Sequence, residues 1–216
     1  LFRSVALSFR LYSLQAVQMR ALGFHLNLAP VVEVKSENNK DFLGDRSFGN
    51  LDEVLSYGRA AVNGFENSGI GTVLKHFPGN SNTDPHTGLP EISWSSEELE
   101  QNIMIPFKSL CSPNASGILM SHARLSLSDS HTPACLSKYW VDDVLRKEFG
   151  YEGLVFSDDI FMAALQENGF PPEKAAVMAI EAGVDVIMLS EKRFAPIARI
   201  LLNKACEDES FSKLIE

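Results

Sequence analysis

Between Lys75 and Pro90 the sequence KHFPGNSNTDPHTGLP gathers a Lys-His pair, a Phe-Pro-Gly turn and an Asp-Pro-His step directly after the apolar run Ile70 to Leu74. An apolar run that ends in polar groups reads as a strand delivering them to its carboxyl end, and the Gly- and Pro-rich residues beyond read as a loop. Lys75 offers three donors and no acceptor and His76 an imidazole, a combination able to bond the hydroxyls of a sugar. A surface lysine beside a satisfied core histidine is the commoner reading of such a pair in isolation. Strand alternation sends neighbouring side chains to opposite faces, so both reach one site only if the backbone twists or bulges. Asp84 and His86 stand two apart across Pro85, a spacing that lets the carboxylate accept the Nδ1 proton and fix the tautomer. An imidazole held in that way suits proton transfer near neutrality. An isolated Asp-X-His is more often a simple turn; its place just after the Lys-His strand end favours a dyad.

A second segment, GLVFSDDI from Gly153 to Ile160, repeats the plan. One carboxylate of the pair, Asp158 or Asp159, can point into the mouth of the sheet as a nucleophile while the other caps the helix that follows. Two helix caps would be the plain reading of an isolated Ser-Asp-Asp. FLGDRSFG, Phe42 to Gly49, offers a third cluster, in which Asp45 and Arg46 form either a surface ion pair or a loop whose arginine clamps a polar substrate. His122 and Arg124, after the apolar run from Gly117, are weaker candidates, with His122 expected in a supporting role.

The elements that must position these groups alternate in type. Strands are expected over Phe24 to Val32, Ile70 to His76, Gly117 to His122, Leu154 to Ser157 and Val184 to Leu189. Amphipathic helices are expected over Leu51 to Asn67, Ser96 to Leu110, Ser137 to Phe149, Pro172 to Ala182 and Arg193 to Cys206, with one more under way near the start in SVALSFRLYSLQAVQMRALG. Ser95 or Ser96 and Ser137 are expected caps, and Gly23, Gly69, Gly150 and Gly183 stand where a helix turns into the next strand. Continuous apolar strands such as GLVF and VDVIML belong to a parallel sheet covered by helices. The alternation predicts an α/β fold with the carboxyl ends of its strands on one face. Five visible strands leave two forms open, a (β/α)8 TIM-type barrel that is incomplete or an open doubly wound sheet.

With 216 residues, 45% of them hydrophobic and 22% charged, the chain has the composition of a soluble globular protein and is expected to form one domain, or most of one, over residues 1–216. A net charge of −9 and no Lys/Arg-rich run argue against nucleic acid as a partner. Three widely spaced cysteines, Cys111, Cys135 and Cys206, indicate neither a disulfide framework nor a zinc site, and no metal or other cofactor is expected. No apolar run approaches the roughly 18 to 20 residues of a membrane span, and Leu1 onward lacks a signal-peptide pattern. With no initiator Met, the true N-terminus is expected upstream; a cytoplasmic location is favoured, with periplasmic or secreted placement left open.

The order NLAPVVEV, GDRSFG, KHFPG, a loop D-X-H, LP, SHARL, and FSDD followed by EAGVDVIML resembles the catalytic barrel of glycoside hydrolase family 3, and in particular its bacterial β-N-acetylglucosaminidases. The resemblance runs from about residue 16 to residue 190. It implies a retaining double displacement with Asp158 as nucleophile, His86 as acid and then base, Asp84 as its partner, and Arg46, Lys75 and His76 as sugar-binding residues, so that an imidazole replaces the usual carboxylate acid. It also implies two departures. The loop between KHFPG and the D-X-H is about two residues shorter than the family's, and the first two strands, with a segment like D-Q-E-G-G-R, have no counterpart, so that residues 1–23 correspond to the helix after it. Three functions are therefore open: a hydrolase releasing terminal β-linked N-acetylglucosamine from cell-wall muropeptides or chitin-type oligosaccharides, an inactive or sugar-binding relative, and a phosphorylase that uses phosphate as acceptor.

Overall fold

A computed structural model of the chain describes residues 4–111, 115–126, 131–190 and 194–215. Its strands, in chain order, are β1 (Leu26–Asn27), β2 (Gly71–Phe77), β3 (Glu91–Ile92), β4 (Gly117–Met120), β5 (Arg124–Leu125), β6 (Leu154–Asp159) and β7 (Val186–Met188). Five of them form an all-parallel sheet in the order β1-β2-β4-β6-β7, while β3 and β5 pair separately, also in parallel. The spatial order of the large sheet follows the chain without reversal. A doubly wound sheet changes direction at a switch point, so that form is excluded and the sheet is the curled half of a (β/α)8 barrel.

Alternation along the strands divides the apolar side chains between two layers. Val73, Leu119 and Phe156 cluster with Leu26, Leu28, Val186 and Met188 on the inner, concave face. Their neighbours Leu74, Ile118 and Val155 belong to the larger core between sheet and helices. Gly117 lies on the inner side, where a Cβ would sit 2.7 Å from the Phe156 ring and 3.0 Å from Val73, so the glycine lets the ring lie across the strand.

Helix ends follow local chemistry. Ser4 caps the helix Val5–Ala21, and Asn50 with Glu53 closes a capping box on Leu51–Glu66. Ser95 does the same with Glu98 before Ser96–Leu99. The helix expected from Ser96 then widens into a π-type turn at Glu100–Met104 before continuing as Ile105–Cys111. Pro106 lacks the N–H that would bond the Asn102 carbonyl, and that carbonyl accepts from Val34 N–H instead. Gly23, Gly69, Gly150 and Gly183 all take positive φ, as the helix-to-strand turns require.

Several boundaries differ from expectation for identifiable reasons. The strand expected from Phe24 to Val32 pairs regularly only at Leu26–Asn27, because Ala29 N–H turns back to the Asn27 carbonyl and Pro30 has no N–H to donate. Val31 and Val32 rejoin β2 at Lys75. Ser137 is not a side-chain cap: the helix is Tyr139–Glu148, and Ser137 is buried with its carbonyl accepting from Val141 N–H. The final long helix is Phe194–Glu207, and the Arg193 at which it was expected to begin lies outside the described residues.

Phe77, fully buried, anchors the helix layer by meeting the rings of Phe107, Trp140 and Phe149 edge-on at 5.1, 5.8 and 5.8 Å. Phe77→Ala should therefore cost about 3–5 kcal/mol in urea unfolding, and Phe77→Leu clearly less because it leaves a smaller cavity.

Candidate active site

β2 and β6 both carry an extra residue at their carboxyl ends. Lys75 pairs with Leu119 and Phe77 with Met120, so two steps on β2 oppose one on β4 and His76 is the additional residue. Such a bulge suspends alternation, allowing His76 to join Lys75 on one side while Phe77 enters the core. The Lys75–His76 peptide is cis. On β6, Phe156 pairs with Val186 and Asp159 with Met188, three steps against two, which re-aims the chain at Asp158 and Asp159.

The consequence is a cavity of about 490 Å³ whose lining includes Arg46, Lys75, His76, Asp84, His86 and Asp158. The six residues to which the resemblance gave roles thus meet at one place, at the carboxyl ends of the parallel strands, where barrel domains gather their polar groups. A larger cavity of about 780 Å³ opens on the β1 side, lined in part by Asn27, Tyr12, Tyr57 and Phe48, and Lys75 and Arg46 border both.

His76 is fixed by a residue to which the sequence reading gave no role. Glu33 is fully buried, and its Oε1 accepts from the His76 backbone N–H at 3.2 Å, from Asn80 Nδ2 at 3.2 Å and from His76 Nδ1 at 2.7 Å. The signal available was Glu33 in the apolar stretch PVVEV, since a carboxylate there must find partners. Lys75 is held below the ordinary lysine value, chiefly by burial; the Asp158 carboxylate opposes that shift and the Arg46 guanidinium adds to it. Arg46 does not depend on an ion pair with Asp45. It donates to the carbonyls of Leu43 and Phe42 and lies over the Phe42 ring, 4.5 Å from its centre.

Asp84 and His86 form the expected pair. Asp84 Oδ1 accepts from the His86 backbone N–H at 2.9 Å and meets the ring Nδ1 at 2.7 Å, with side chains 52% and 66% exposed. Those two bonds, the backbone one first, hold the Asp84 carboxyl below the ordinary aspartate value. A depressed folded value means that the contribution is complete above the unfolded value of about 4 and is lost as pH falls through the folded one. The pair therefore persists across neutral pH. Asn82, also unanticipated, clamps the dyad loop to its neighbour by accepting from Asp41 N–H and donating to the Glu37 carbonyl, both at 2.9 Å. Ala164 N–H bonds the Pro85 carbonyl from the other side.

The Asp-Asp pair divides as its chemistry allows. Asp158 faces the cavity and accepts from Asp159 N–H at 2.8 Å. Asp159 turns away and accepts from Phe161 N–H and Ser190 N–H, tying the end of β6 to the residues after β7. It closes that turn rather than the helix Ala163–Gln166, whose N-cap is Met162. His122 is buried and bonds the Asp159 carbonyl, whereas Arg124 pairs with Glu91 in the small sheet and does not border the cavity. Cys111 and Cys135 are buried and Cys206 is exposed, all as free thiols. Among the described residues no helix is long and apolar enough to cross a membrane, and no cluster of three or more His, Cys, Asp or Glu side chains is arranged to hold a metal ion.

Fold and site define a half-barrel domain with acidic, imidazole and cationic groups converging at the strand ends. The chain belongs to glycosyl hydrolase family 3, whose N-terminal domain model matches residues 10–210. It is 34% identical over 206 residues to a beta-hexosaminidase of Methylococcus capsulatus, covering 93% of this chain and 61% of that protein. It is 37% identical over 187 residues to the beta-hexosaminidase of Alkalilimnicola ehrlichii, covering 85% of this chain and 53% of that one. Among solved structures, a glycoside hydrolase family 3 beta-N-acetylglucosaminidase from Paenibacillus sp. str. FPU-7 superimposes with a TM-score of 0.90 at 27% identity, over 98% of this chain and 42% of its own. The chain thus spans little more than half the length of the curated relatives it matches.

Because Glu33 satisfies three donors beneath the site, Glu33→Ala should destabilise the protein by about 3–5 kcal/mol in urea unfolding. Glu33→Gln, which keeps one acceptor oxygen, should cost less.

Proposed function

We propose that this chain carries the catalytic groups of a retaining glycosidase that removes terminal β-linked N-acetylglucosamine from chitin-type or cell-wall oligosaccharides. The observation that supports it most is the bordering of one cavity by the Asp158 carboxylate, the Asp84–His86 dyad and the cations of Lys75 and Arg46. The beta-hexosaminidase relatives and the beta-N-acetylglucosaminidase neighbour point to the same substrate class.

In this reading Arg46, Lys75 and His76 hold the sugar hydroxyls, and the Asp158 carboxylate attacks the anomeric carbon. The bond to the leaving oxygen breaks as His86 delivers a proton to it, leaving a glycosyl ester on Asp158. His86 then takes a proton from water as the water oxygen attacks the same carbon, and the ester bond breaks to regenerate the carboxylate. Asp84 occupies Nδ1, so Nε2 of His86 is the nitrogen that exchanges the proton, and the carboxylate orients the ring without receiving it. Half-buried Lys75, beside Asp158, supplies donors to the sugar hydroxyls.

Removing the nucleophile and removing the acid have different signatures. Asp158→Ala should abolish turnover of all β-N-acetylglucosaminides. His86→Ala should lose roughly 10²- to 10⁴-fold on a poor leaving group and far less on an activated aryl glycoside, which needs no proton. With the aryl substrate this variant should accumulate an adduct on Asp158, detectable by mass spectrometry and released by azide. Equal defects on both substrates with no adduct would instead indicate a sugar-binding or inactive relative. Release of sugar 1-phosphate in phosphate buffer, rather than free sugar, would indicate a phosphorylase.

A further inference from the structure

His122 and Cys135 take no part in the proposed displacement and neither borders its cavity, yet both are buried and both feel the Asp158 charge. His122 Nε2 is 3.1 Å from the Asp159 carbonyl oxygen, and its Nδ1 is 3.2 Å from Cys135 Sγ. A carbonyl oxygen can only accept, so the hydrogen must lie on Nε2. Burial holds the imidazole below the ordinary histidine value, against the pull of Asp158, and so keeps it neutral with a single ring proton. Nδ1 is then a bare acceptor. Its neighbour is a thiol that burial keeps protonated, so Cys135 S–H is the donor.

The bonds run in one direction. Cys135 donates to His122, and His122 donates to the Asp159 carbonyl, which also receives Met162 N–H. Asp159 N–H in turn donates to Asp158 Oδ1 at 2.8 Å. The β6 bulge makes the register irregular here, and although Ile160 N–H still bonds the Met188 carbonyl, the side-chain bonds add restraint to the turn. We infer that His122 and Cys135 are positioning residues for the Asp158 carboxylate, acting through the backbone of Asp159 rather than by touching the sugar. The kinetic consequence rests on the hydrolase reading; the hydrogen-bond chain does not.

The test combines ring ¹⁵N resonances of His122 in the full chain with kinetics on an aryl N-acetylglucosaminide. Wild type should show a protonated Nε2 and a bare Nδ1 at neutral pH. Cys135→Ser, which keeps a donor, should preserve the Nδ1 resonance, whereas Cys135→Val should move it. His122→Gln, which places an amide N–H near the Nε2 position, should keep the Asp159 amide proton resonance and most of kcat. His122→Phe should shift that resonance and lower kcat roughly tenfold or more, with KM little changed. The inference is overturned by a proton on Nδ1, by wild-type kcat and Asp159 resonance in His122→Phe, or by a loss confined to KM, which would mean a sugar contact. If His122→Phe does not fold, the wild-type spectrum and the two Cys135 variants still decide. Wild type that is inert on the aryl substrate would refute the hydrolase reading alone, since the resonances test the positioning chain without turnover.

Discussion

One surplus residue in β2 governs the arrangement of the candidate site. A strand without it would direct Lys75 to the cavity, His76 to the helices and Phe77 back toward the cavity. With His76 inserted opposite the step from Leu119 to Met120, the imidazole joins the ammonium at the cavity and the phenyl ring is delivered to Phe107, Trp140 and Phe149. Site and core are thus coupled at adjacent positions. An aromatic cluster of the helix layer begins one residue beyond the polar end of β2.

A bulge of this kind takes backbone groups out of the ladder, and the surrounding residues show how they are recovered. Glu33 accepts from the His76 N–H that the neighbouring strand does not use, and in the same place orients the ring and Asn80. On β6 the analogous irregularity is satisfied by Asp159, whose carboxylate gathers Phe161 and Ser190, and by His122 on its carbonyl. Polar side chains therefore supplement strand pairing at both bulges. Glu33 and His122 are buried and Asp159 half-buried, as expected of groups whose function is to complete a hydrogen-bond network.

The dyad contrasts with this buried frame. Asp84 and His86 stand on a loop more than half exposed, held by Asn82 on one flank and by the Pro85 carbonyl on the other. In the proposed displacement, a proton-transfer group on a loop and a nucleophile on a bulged strand suit the two parts differently: the carboxylate must be aimed, whereas the imidazole must meet a leaving group and then a water. The loop of this chain holds Asp84 and His86 in contact at 2.7 Å.

Much of this was legible in the residues themselves. Alternating apolar runs and amphipathic helices indicated parallel strands with helical crossovers, and the polar groups that end the runs at Lys75 and Asp158 marked the carboxyl ends, because local periodicity and strand termini are properties of adjacent residues. The Asp84–His86 contact was likewise local, two residues apart across a proline. What the sequence left open was decided by long-range pairing. Whether the sheet was doubly wound or a curled half-barrel depended on strand order, and whether Lys75 and His76 shared a face depended on register against β4. The role of Glu33, 43 residues from His76, and the reach of His122 to Asp159, 37 residues away, appear only once the strands stand side by side. The sequence by itself determined which groups could do chemistry and at which strand ends they would emerge. Only the tertiary structure decided which way each one points, because a bulge is a mismatch between two strands and neither strand alone contains it.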